Sequence, residues 1–140
     1  MSENENTAAD WTNLIGPATK DLLYPSETDA RVVPFVWTAD GGQKEITAAA
    51  VARLAGHPSE AAVEEIPAEL FFGKVTKKQS WHTEVGRERA RRFTELEALL
   101  KEHLHGLRVF RIGSTAIDVY VVGVDTQDRL AGVSTKVVET

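Results

Sequence analysis

Three positions in this chain carry groups suited to recognition chemistry. Thr140 is the last residue of the sequence and follows a stretch, Leu130–Val138, that reads as a strand. A terminal threonine held there presents a carboxylate and a hydroxyl together, hard oxygen ligands of the kind that magnesium and calcium prefer. The competing reading is an ordinary frayed end. Glu27 sits in Tyr24-Pro25-Ser26-Glu27-Thr28-Asp29, a loop opened by proline and rich in short polar residues. It reads either as a solvated loop acid or as a presented carboxylate. Trp81 lies in the polar run Lys77-Lys78-Gln79-Ser80-Trp81-His82. Burial in the core is the commoner fate of a tryptophan, but polar surroundings also suit an exposed anchor at a protein interface.

The residue sets of familiar catalytic sites do not appear. With no cysteine there is no thiolate nucleophile and no disulfide framework. His103 and His105 stand two apart at an expected helix end, so they point to different faces and do not form an i, i+4 metal pair. They read as helix C-terminal residues that interact favourably with the dipole. Gly41-Gly42 lacks the lysine and spacing of a phosphate loop, and no Gly-x-Ser-x-Gly elbow occurs. The adjacent pair Glu64-Glu65 would point to opposite sides of an extended segment. These features favour a protein that is not an enzyme, with no cofactor and no metal of its own.

The composition fits one domain spanning residues 1–140, with 42% apolar and 26% charged residues. Residues 1–7 read as a disordered tail, and their acidic start is unlike a signal peptide. No apolar run approaches the roughly 20 residues of a membrane-spanning helix. A cytoplasmic setting is the expectation. Acids outnumber bases 21 to 16, and the acids concentrate in the first half of the chain. That balance disfavours direct nucleic-acid binding and suits a basic protein partner.

The elements that must position these groups can be read in order. Trp11, Leu14, Ile15, Ala18, Leu22 and Leu23 recur at helical spacing, with Gly16-Pro17 predicting a kink or break. Val32–Trp37 reads as a strand, and Pro34 assigns it to an edge or a bulge. Asp40-Gly41-Gly42 signals a turn. Thr47 caps a helix that Gly56 ends, Ala62–Ile66 reads as a short strand, and Pro67 starts a brief helix through Phe72. Lys74–His82 reads as a long connection. The clearest helix covers Glu84–His105, capped by Thr83 and stopped by Gly106, with Val85, Ala90, Phe93, Leu96, Leu100 and Leu104 on one stripe. Three strands follow, Leu107–Ile112, Ile117–Val124 and Leu130–Val138, joined by short turns into an antiparallel meander. The expected class is α+β, a sheet covered by helices.

Several of these segments resemble the bacterial nuclease A inhibitor family. Leu130-Ala-Gly-Val-Ser-Thr-Lys-Val-Val-Glu-Thr140 is similar to the family's C-terminal strand, and Val109–Gly113 with Ile117–Gly123 to the preceding hairpin. Leu22-Leu23-Tyr24-Pro25-Ser26-Glu27 resembles the loop that holds the family's functional glutamate. The resemblance runs from about Leu14 to Thr140 and weakens between Asp40 and Glu69. It implies an α/β/α sandwich that inhibits a metal-dependent, non-specific DNA/RNA nuclease in a 1:1 complex. Glu27 would stand where the scissile phosphate sits, and Thr140 would reach the nuclease's catalytic metal ion. An acidic residue followed by tryptophan makes a second contact in the family. Here those positions are Ser80 and Trp81, so the acid is missing. The alternatives are a binding module of the same fold with a different partner, and an enzyme built from residues that converge only in space.

Overall fold

A computed structural model describes residues 3–25, 28–37, 46–58, 61–76, 83–126 and 129–138, with side chains from Trp11 onward in the first helix. Helix α1 (Glu3–Thr19) leads into a small hairpin, β1 (Leu23–Tyr24) and β2 (Ala30–Arg31), and then β3 (Val33–Trp37). Helix α2 (Ala48–Leu54), β4 (Val63–Ile66), α3 (Ala68–Thr76) and α4 (Glu84–His103) follow. The chain closes with β5 (His105–Ile112), β6 (Ala116–Val124) and β7 (Leu130–Val138).

Among the described residues the main sheet has the order β3-β7-β6-β5-β4, and each neighbouring pair is antiparallel. The expected meander is therefore present, and the fold is α+β. β3 lies at an edge, as Pro34 requires, because proline has no N–H for a second ladder. Alternation along the strands divides the core in two. Val119, Val121, Val133 and Val137 meet α1, α3 and α4 on one face, where Phe72, Phe93, Leu96 and Leu100 are fully buried. Phe110, Ile112, Val122 and Leu130 meet Val51 and Ala52 of α2 on the other. Helices on both faces of one sheet make the α/β/α layering. Each large apolar side chain taken out of water contributes about 1.5–3 kcal/mol.

Local chemistry accounts for most of the boundaries. The Thr47 and Thr83 hydroxyls accept hydrogen bonds from the N–H groups of Ala50 and Gly86, at 3.1 and 2.9 Å. α2 ends as its sequence predicts, with Gly56 at φ +85° and paired hydrogen bonds from Gly56 to Arg53 and from His57 to Ala52. Glu64 and Glu65 do face opposite ways, Glu64 reaching Arg111 and Glu65 reaching Arg108. The Arg108 guanidinium, hydrogen-bonded to Glu65, holds that carboxyl below the usual carboxylate range.

Four expectations need correction. α1 begins at Glu3, inside the stretch read as a tail, since residues 3–9 contain no glycine or proline to stop a helix. It runs unbroken through Pro17 and stops at Thr19, so Leu22 and Leu23 lie outside it. α3 continues to Thr76, shortening the expected connection. α4 ends at His103, not His105, because Leu104 is already extended. His105 starts β5, and Gly106 (φ +65°) serves a bulge between His105 and Arg108 instead of a helix stop. The expected turn at Asp40-Gly41-Gly42 lies outside the described residues.

Candidate functional site

Glu27, Ser80, Trp81 and Thr140 all lie outside the described residues, so the site is built from the segments that carry them. Glu27 belongs to the connection between β1 and β2. Tyr24 pairs with Ala30, which makes Glu27 the middle residue of that connection in sequence. The base of the hairpin is held hard. The Tyr24 ring stacks on Phe71 of α3 and meets Phe93 of α4 edge-on, with centroids 4.5 and 5.7 Å away. Its hydroxyl donates to the Phe71 carbonyl at 2.9 Å. Further along, the Val32 N–H donates to the Leu22 carbonyl at 3.0 Å.

Thr140 follows β7 by two residues. β7 pairs with β6 along its whole length and with β3 over Leu130–Ser134, and its last pairs, made to β6, set Val137 opposite Ile117 and Val138 opposite Ala116. Val137 is buried in the core. The strand that delivers Thr140 is thus anchored to within three residues of it.

Ser80 and Trp81 lie between the end of α3 at Thr76 and the cap of α4 at Thr83. Both ends are tied down. The Thr76 hydroxyl donates to the Phe72 carbonyl at 2.9 Å, and Phe72 and Val75 are buried.

The described flanks of two of these places meet. A cleft of ≈ 170 Å³ is lined by Tyr24 and Pro25, by Val137 and Val138, and by Lys74 and Arg111, with Ile66, Phe71 and Val119 behind them. Residues just before Glu27 and just before Thr140 therefore share one wall, beside the last turn of α3. Of the two cations that line it, Arg111 is only 16% exposed, with its Nε 3.6 Å from a Glu64 carboxylate oxygen. Its position was missed from sequence, although a signal existed. Along β5, Arg111 shares a face with the buried Val109, and a charge on the core side of a strand asks for a reason.

The histidines are placed separately. His57 follows α2 on the opposite sheet face, its Nε2 2.9 Å from the Tyr120 hydroxyl and 3.3 Å from an Asp118 oxygen. His103 closes α4 near Glu102, His105 opens β5, and His82 lies outside the described residues. Among the described residues no group of three or more His, Cys, Asp or Glu could hold a metal ion. No helix there is long and apolar enough to cross a membrane.

A family model described as a nuclease A inhibitor-like protein matches residues 9–140, nearly the whole chain. No individual curated protein matches it.

Proposed function

Because the chain belongs to the nuclease A inhibitor-like family, we propose that it blocks the active site of a metal-dependent, non-specific DNA/RNA nuclease as a 1:1 protein complex. Glu27 stands where the scissile phosphate would be held. Thr140 reaches the nuclease's catalytic metal ion, and Ser80–Trp81 supplies a second contact. The chain carries no cofactor, contacts no nucleic acid itself, and works in the cytoplasm against a nuclease normally exported.

The observation that carries this reading is the shared cleft, where the flanks of Glu27 and Thr140 meet although 113 positions separate the two residues. A nuclease active site is compact, so a phosphate mimic and a metal ligand must leave the inhibitor side by side. Lys74 and Arg111 line the same cleft. Their charges offset the repulsion that Glu27, Glu139 and the terminal carboxylate would otherwise exert on one another. Both donors come from segments anchored by the core, so little ordering entropy is lost when the complex forms. In the complex, an inhibitor carboxylate substitutes for phosphate oxygen and the terminal oxygens occupy a metal position the reaction needs.

Ser80 supports a second reading, a module of this fold turned to another protein partner. The family pattern has an acid at that position, and its loss removes one charge from the second contact.

Titration into a magnesium-dependent, non-specific nuclease, scored by plasmid degradation, tests the proposal. Stoichiometric loss of cleavage, relieved by deleting Thr140, is the expected result. No inhibition at any ratio would transfer the case to the different-partner reading. Inhibition that survives a C-terminal extension would remove Thr140 from the metal.

A further inference from the structure

The first turn of α4 breaks the pattern of its own helix. Ala90, Phe93, Leu96 and Leu100 are buried as the apolar stripe requires, but Val85, on the same stripe, is 69% exposed. Helix chemistry does not ask for valine there. A β-branched apolar residue at the second helical position is a poor choice, while an acid would complement the dipole. Across from it stands Leu23, 36% exposed, whose neighbour Tyr24 points into the core. The two are not scattered. With the buried Leu22 they line one groove of ≈ 390 Å³ between β1 and α4.

The rim of this groove carries both signs. Asp21, Glu84 and Glu88 stand against Arg89 and Arg92. Two of these side chains are already engaged: Arg92 donates to the Ala18 and Lys20 carbonyls at the end of α1, and Glu88 pairs with Arg91. With no surplus of positive charge the groove does not suit nucleic acid. It selects by shape and apolarity. It also has a definite place in the chain, because Leu23 is four residues before Glu27 and Val85 four residues after Trp81.

We propose that the Leu23–Val85 groove is an apolar anchor site of the inhibitory interface, receiving a large apolar side chain of the nuclease beside its active site. The inference rests on the functional reading above. The groove is built from the residues that flank the Glu27 and Trp81 segments along the chain, so an apolar anchor there would add a further point of contact and fix the rotation of the partner. Apolar pockets near the middle of an interface, shielded from water by surrounding contacts, carry a large share of binding energy.

Full-length Val85→Glu and Leu23→Glu variants test it. Val85→Glu suits the start of α4, so its melting temperature should equal or exceed that of the unaltered chain. The expected result is an inhibition constant raised about tenfold or more by each variant, with helicity retained. Unchanged inhibition by both variants overturns the anchor while leaving nuclease inhibition standing. Failure of the unaltered chain to inhibit overturns the functional reading and the anchor with it. A dimer of the free protein, dissociated by Val85→Glu with inhibition intact, also overturns the anchor, since the groove would then be filled by a second copy.

Discussion

Tyr24 lies flat on Phe71, with ring centroids 4.5 Å apart and 12° between the planes, and its hydroxyl donates to the carbonyl of that same phenylalanine. One side chain thus fastens the hairpin carrying Glu27 to the helix that leads towards Trp81. Tyr24→Phe keeps the ring stack and removes the donor, leaving the Phe71 carbonyl without this bond in a buried setting. Stability should fall by about 1–2 kcal/mol, seen as a lower urea midpoint. Inhibition should weaken as well, because the base of the Glu27 loop loosens. An unchanged midpoint would mean that stacking alone holds the hairpin.

Gly132 tests the centre of the sheet. A Cβ there would lie 1.7 Å from the Val121 carbonyl oxygen, a backbone atom that cannot step aside, and the Trp11 indole N–H donates to the Gly132 carbonyl at 3.2 Å. Gly132→Ala must therefore push β6 and β7 apart. We expect a loss of roughly 3 kcal/mol or more, with a matching fall in melting temperature. Gly16→Ala, inside α1 where a Cβ meets nothing within 4 Å, is the control and should hold or slightly raise the melting temperature, since alanine is the better helix former.

Tyr120 gives the pH dependence. Burial, followed by the neighbouring Asp118 charge, pushes its phenol up to about 12. In the unfolded chain it ionises near pH 10, at roughly the free value. Between these values the unfolded chain releases a proton that the folded protein keeps, so stability falls as pH rises from about 10 to about 12. Below pH 10 this contribution is fully present. Urea midpoints across that range should decline less steeply for Tyr120→Phe than for the unaltered chain. Parallel declines would show that Tyr120 ionises alike in both states.

Glu27→Gln separates charge from shape. The amide fills nearly the same volume and cannot present a negative group where phosphate would sit. The variant should keep its melting temperature and lose about 2–5 kcal/mol of binding, the usual cost of truncating one member of a buried charge contact. Isothermal titration with the nuclease gives the comparison. Equal affinity would exclude phosphate mimicry by Glu27.

Local chemistry let the sequence by itself determine much of this protein. Alternating apolar residues specified β6 and β7, and threonine caps specified the starts of α2 and α4. Pro34 specified an edge strand, and the last segments carried the family resemblance. Each of these signals depends on residues within a turn or a strand length of one another. The sequence also singled out Glu27, Ser80, Trp81 and Thr140 as candidate contacts.

Only the tertiary structure decided the rest. His105 and Gly106 continue the chemistry of a helix end, yet they join β5, because His105 pairs with Val124 of β6 and Gly106 takes the positive φ of the bulge that follows. Val85 continues the apolar stripe of α4 but lies beyond the reach of the core, so periodicity could not tell a buried position from an exposed one. Arg111 and Tyr24 acquire their meaning from partners 47 positions away. The shared wall between Pro25 and Val138 depends on β7 lying inside the sheet and on α3 packing across its face. Such long-range pairings are set by packing the whole chain around one core, and no short stretch of sequence contains them.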